Sequence, residues 1–85
     1  MPSVDYSTRF LRQLRKQPLE IQNLADAKDH LFRLNPFDSR LGTHKLHGKD
    51  RENWAYWVTR KIRIKFVFIS DQVLYLEIGS HNEVY

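Results

Sequence analysis

Three clusters of residues could carry chemistry in this sequence, and none of them contains cysteine, which the chain lacks altogether. That absence removes thiolate nucleophiles and any disulfide framework. The first cluster closes the run LYLEIGSHNEVY: a strand-like segment ends on Gly79, and His81 then stands four residues before Tyr85. An imidazole titrates near neutrality, so it can give or take a proton under physiological conditions. The second cluster is LGTHKLHGKD, in which Gly42 and Gly48 bracket an extended piece carrying His44, Lys45 and His47, with Leu46 expected to anchor it in the core. Three residues apart on an extended chain, His44 and His47 face opposite sides, which argues against a shared metal ion. No metal or other cofactor is expected. The third cluster is KIRIKFVFI, whose alternation sends Ile62, Ile64, Phe66 and Phe68 to one strand face and Lys61, Arg63 and Lys65 to the other. A ladder of cations suits a polyanion, although it could equally be a solvated sheet face with Glu77 pairing across strands.

These residues need a scaffold, and the periodicities supply one. PSVDYS alternates and predicts a short first strand, after which Ser7 or Thr8 can cap a helix. In TRFLRQLRK, Phe10, Leu11 and Leu14 form one apolar stripe among arginines. Pro18 restarts the helix, and Ile21, Leu24, Ala25, Lys28, Leu31 and Phe32 continue at helical spacing until NPFD stops it. His30, inside this second helix, is expected to pack or face water. The second half changes period: NWAYWVT, KIRIKFVFI and QVLYLEI are rich in aromatic and β-branched residues, joined by Arg60-Lys61 and by a tight turn at Ser70-Asp71. The expected class is α+β, an N-terminal helical hairpin packed on one face of a small antiparallel β-sheet. Leu74, Leu76 and Ile78 are expected on the core side, leaving Val73, Tyr75 and Glu77 beside the cations. Trp54 and Trp57 fall on opposite faces of their strand, with Trp54 read as core and Trp57 left open.

At 85 residues, 41% hydrophobic and 28% charged, the chain reads as one globular domain, 1–85. Its longest apolar run, FVFI, is too short to span a bilayer, and MPSVDYSTRF lacks the layout of a signal peptide, so a cytoplasmic location is expected. The net charge of +4 is unevenly distributed. Residues 43–65 hold seven basic and two acidic side chains, whereas residues 66–85 hold no basic and three acidic ones. Clustered positive charge suggests a polyanionic partner, but charge alone does not decide between nucleic acid and mere solubility.

Taken in order, the two helices, HKLHG, W-x-Y, KIRIKFVF and the ending LYLEIGSHNEVY resemble the RelE/ParE superfamily of bacterial toxin–antitoxin toxins, over essentially the whole chain. The likeness is greatest to the RelE, YoeB and YafQ ribonuclease branch. It implies the RelE-like microbial RNase fold and a small endoribonuclease that cleaves mRNA, in most cases on the ribosome, and is restrained by a cognate antitoxin. The implied chemistry needs no metal: a ribose 2′-hydroxyl attacks the adjacent phosphorus, leaving a 2′,3′-cyclic phosphate and a 5′-hydroxyl. A base, an acid and a cation on the phosphoryl oxygens are required.

By the same resemblance His81 is the general acid, Arg63 stabilises the transition-state charge, His44 is the better candidate for base, and Tyr85 is the terminal aromatic that stacks on a base or lies by the phosphate. Lys61 and Lys65, from alternation, and Lys45 and His47, from their segment, are the expected RNA contacts. The sequence also departs from its relatives. It lacks the lysine pair that RelE carries on the strand written here NWAYWVT, it has KIR where YafQ has an acidic residue and a tryptophan, and it has no secure counterpart of the YoeB acidic base. A ParE-type inhibitor of DNA gyrase, and a degenerate module that only binds antitoxin or nucleic acid, are the alternative readings.

Overall fold

The computed structural model describes residues 2–50 and 52–84. Strand β1 (Ser3–Tyr6) leads into helix α1 (Thr8–Lys16) and helix α2 (Leu19–Leu34). Then come the short β2 (His44–Lys45), β3 (Trp54–Trp57), β4 (Ile62–Ile69), β5 (Gln72–Ser80) and a terminal turn of helix, α3 (His81–Val84). Ser7 is the helix cap anticipated from sequence: its Oγ accepts from the Phe10 N–H at 2.9 Å while donating to the Leu76 carbonyl at 2.8 Å. One hydroxyl thus starts α1 and ties it to β5. Pro18 separates the two helices, and the Asn35 N–H closes α2 on Leu31 at 3.0 Å.

The sheet runs in the order β1-β5-β4-β3-β2. The β2–β3, β3–β4 and β4–β5 pairs are antiparallel, but β1 joins β5 in parallel, with Val4 opposite Val73 and Tyr6 opposite Tyr75. The sheet is therefore mixed rather than purely antiparallel. A parallel pair needs a long crossover, and the helical hairpin is part of it. Ser70 and Asp71 form the tight β4–β5 turn, with Ser70 at φ +58°. The β3–β4 connection is wider than Arg60-Lys61. Val58 is buried, and Thr59 Oγ1 accepts from the N–H groups of Lys61 and Ile62 at 3.1 and 2.9 Å.

Phe10 of α1 and Ala25 and Phe32 of α2 pack on Tyr56, Ile64, Phe66, Val73, Tyr75 and Ile78. The β5 residues in that core differ from the expected set. Lys65 lies opposite Glu77, but the next residue, Phe66, lies opposite Tyr75, so Leu76 is an extra residue in β5. A bulge of this kind inverts the side-chain phase on one half of a strand. Tyr75 and Val73 consequently turn inward with Ile78, while Leu74 and Leu76 leave the core. The buried Tyr75 hydroxyl is satisfied there, accepting from the Tyr56 hydroxyl at 3.1 Å and donating to Asp29 Oδ1 at 2.7 Å. Burial pushes both phenols well above their ordinary pKa. Asp29 in turn accepts from Arg33 at 3.0 Å, and Arg33 donates to the Tyr6 hydroxyl at 2.8 Å, so a polar chain fastens α2 to the sheet.

The cation ladder is also corrected. Lys61 precedes β4 and is exposed, Arg63 is half-buried, and Lys65 is only 8% exposed with its ammonium 2.9 Å from Glu77. Phe68, expected in the core, is exposed and groups instead with Phe37 and Trp54, ring centroids 6.3 and 5.6 Å away. No helix among the described residues is long and apolar enough to cross a membrane.

Candidate active site

Residues directly opposite one another in neighbouring strands present their side chains to the same sheet face. Following the register from β2 to β5, His44 stands opposite Ala55, Ala55 opposite Lys65, and Lys65 opposite Glu77. The adjacent row holds Trp57, Arg63 and Gly79. His44, Trp57, Arg63, Lys65 and Glu77 therefore share the face opposite to the one on which the helical core packs.

His44 reaches this face through a short 3-10 turn, Ser39–Leu41, capped by Asp38, whose carboxylate accepts from the Arg40 N–H at 2.9 Å. Arg40 also forks onto the same carboxylate at 3.0 and 2.9 Å, and these hydrogen bonds pull the Asp38 pKa from 3.8 down to about 2. Gly42 follows at φ +59°, and a Cβ there would stand 2.6 Å from Cε3 of Trp57. Only glycine lets this backbone lie against the indole. The Gly42 carbonyl then accepts from Nδ1 of His44 at 2.9 Å. A carbonyl can only accept, so this bond places the proton of the neutral ring on Nδ1 and makes Nε2 the basic nitrogen.

Trp57 is 41% exposed and lies under the guanidinium of Arg63, whose central carbon is 5.9 Å from the ring centroid. This cation–π contact, with a hydrogen bond from Arg63 to the Arg60 carbonyl at 3.4 Å, holds the arginine on the open face. Gly79 directly across on β5 carries no side chain to compete for that space. β5 ends at Ser80, paired with Ile62, and the exposed His81 follows at once as the first residue of α3. α3 packs on β4 and β5 and buries Val84.

Of the residues singled out from sequence, His44 and Arg63 share one face, and His81 emerges at the end of β5 beside the Arg63 row. Lys65 shares that face but is engaged by Glu77. Lys45, opposite Trp54, points to the other side of β2, and His47 is exposed beyond it. Tyr85 lies outside the described residues. Among the described residues no group of three or more His, Cys, Asp or Glu side chains could hold a metal ion. Two contributors were missed in the sequence. Alternation places Trp57 on the Arg63 face without indicating a role for it, and Arg9, which meets Glu77 at 3.4 Å, carries no sequence signal at all.

No protein-family profile and no curated protein sequence matches the chain. Solved structures do. YafQ from Escherichia coli BL21(DE3) superimposes with a TM-score of 0.83 at 12% identity, covering 100% of this chain and 99% of that one. A YoeB/ParE toxin from Agrobacterium tumefaciens gives 0.77 at 10% identity over 93% and 98%. YafQ in the Escherichia coli DinJ–YafQ complex gives 0.71 at 11% identity over 100% and 99%. The helical hairpin on a five-stranded mixed sheet, with strands in the order given above, is thus the fold of the RelE/ParE-type toxins.

Proposed function

We propose that this chain is the toxin of a toxin–antitoxin pair and acts as a metal-independent endoribonuclease on mRNA. The observation that carries the reading is the register, which aligns His44, Trp57 and Arg63 on one sheet face with His81 at the adjoining end of β5. In this reading Arg63, steadied on Trp57, binds the scissile phosphate and offsets the charge that builds on its non-bridging oxygens. His44 takes the proton from the attacking 2′-hydroxyl through Nε2, because Nδ1 is committed to the Gly42 carbonyl. His81 protonates the departing 5′-oxygen. Tyr85 is assigned stacking beside the scissile step, and Lys61 and His47 are assigned to flank the RNA path, while Lys45, on the other side of β2, is not.

The cytoplasm and the ribosomal A site are the proposed setting. A cognate antitoxin is the proposed protein partner, by analogy with the toxin–antitoxin complex that YafQ forms with DinJ. The test is mRNA integrity during brief induced expression, mapping fragment 5′ ends, with His81→Ala beside the parent. Codon-phased cleavage that vanishes in the variant is the expected result. Intact mRNA with arrested growth would transfer the assignment to gyrase inhibition, and intact mRNA with normal growth would leave a binding module.

A further inference from the structure

The ion pair under Lys65 has features that a purely structural pair does not need. A single carboxylate, Glu77, is met by two cations, Lys65 Nζ at 2.9 Å and Arg9 Nε at 3.4 Å. The group thus carries a net positive charge. It does not fill its space either: Ser7, Arg9, Asn53, Lys65, Leu76 and Glu77 line a concavity of about 280 Å³ open to solvent. The Arg9 side chain is 68% exposed, and its Nε contact leaves the remaining N–H groups of the guanidinium for other acceptors. Lys65 by contrast is held in place, so its charge cannot swing away.

The position of this concavity matters as much as its charge. Lys65 is two residues from Arg63 on β4 and on the same face, which sets their Cα positions about 6.7 Å apart along the strand. That is close to the separation of successive phosphates in an extended single strand. We infer that the concavity between the start of α1 and the centre of the sheet is a second phosphate subsite, receiving the nucleotide next to the one held at Arg63. Glu77 is its positioning residue, fixing Lys65 and one edge of Arg9. This inference rests on the RNA-cleaving reading and adds to it a reason for the chain to prefer substrates longer than a dinucleotide.

The test uses the purified chain and 2′-O-methyl RNA, which cannot be cleaved by internal attack, as a dinucleotide and a tetranucleotide. Fluorescence anisotropy between 50 and 200 mM salt reads affinity and its salt dependence. Each phosphate contact on a single strand contributes a slope of about 0.7 in log K against log salt. The parent should bind the tetranucleotide with the larger slope. Arg9→Gln should weaken tetranucleotide binding about three- to fivefold and lower that slope by about 0.7, and Arg9→Lys should recover most of the loss. Arg63→Gln should weaken both lengths. Tetranucleotide affinity and slope unchanged in Arg9→Gln, with the Arg63→Gln effect intact, would overturn the subsite and leave the RNA reading standing. A parent that binds neither length would overturn both.

Discussion

Gly42 offers the sharpest test of how the fold builds the site. Replacing it with alanine asks two separate things of the structure. The backbone at φ +59° must hold a residue with a Cβ in the left-handed region, which costs about 1–2 kcal/mol. The new methyl must also find room where Trp57 ring atoms stand 2.6–2.8 Å from it, so the indole has to shift. Forcing such a contact costs about 1–3 kcal/mol more. The expected loss for Gly42→Ala is therefore about 2–5 kcal/mol. Gly48 supplies an internal control: its φ is +72°, yet nothing lies within 4 Å of where a Cβ would stand. Gly48→Ala should pay the backbone term alone, about 1–2 kcal/mol. Urea denaturation of both variants measures the difference, and Trp57→Ala in the Gly42→Ala background should remove most of the excess. Equal losses for Gly42→Ala and Gly48→Ala, within about 0.5 kcal/mol, would refute the claim that the indole requires a glycine here.

Lys65→Met alone should cost about 3 kcal/mol in denaturant unfolding, because Glu77 is left nearly buried with only the more distant Arg9, whereas Lys65→Met with Glu77→Leu should return to within about 1 kcal/mol of the parent. A single variant as stable as the double would show that the pair is not desolvated. Asp38 should titrate near 2 in a carboxyl NMR titration, and Arg40→Gln should return it toward 3.8. Since the folded value is the lower one, this contact stabilises the protein fully above pH 4, and the contribution is lost as pH falls from 4 through 2. The order around His44 should loosen in that window, and an Asp38 pKa near 3.8 in the parent would argue against the fork.

The elements themselves were legible because each rests on a local signal. Ser7 can cap only a helix that begins beside it, Pro18 and Pro36 each bar the preceding helix from continuing through them, and alternation marks β3, β4 and β5 without reference to partners. The same alternation correctly put Arg63 opposite the core side of β4. His81, Tyr85 and His44 stand out by residue type and placement, but only the family resemblance gives them roles, since a histidine near a chain end has no physical signature that fixes its chemistry.

Pairing decided the rest. Whether β1 joins in parallel, and beside which strand, depends on where the helical hairpin returns the chain, and no residue of β1 encodes that by itself. The bulge at Leu76 is the clearest case. Within β5 the leucines look like core and the tyrosine like surface, but one extra residue against β4 reverses them, and Tyr75 becomes acceptable inside only because Tyr56 and Asp29 are there to meet its hydroxyl. The same pairing turned Lys65 from an exposed rung into one half of a buried ion pair and brought in Arg9 from a distant helix. Sequence determines which residues can carry charge, protons or apolar surface, because those are properties of single side chains. Only the tertiary structure decides which of them meet, because burial and pairing are properties of two chain segments at once.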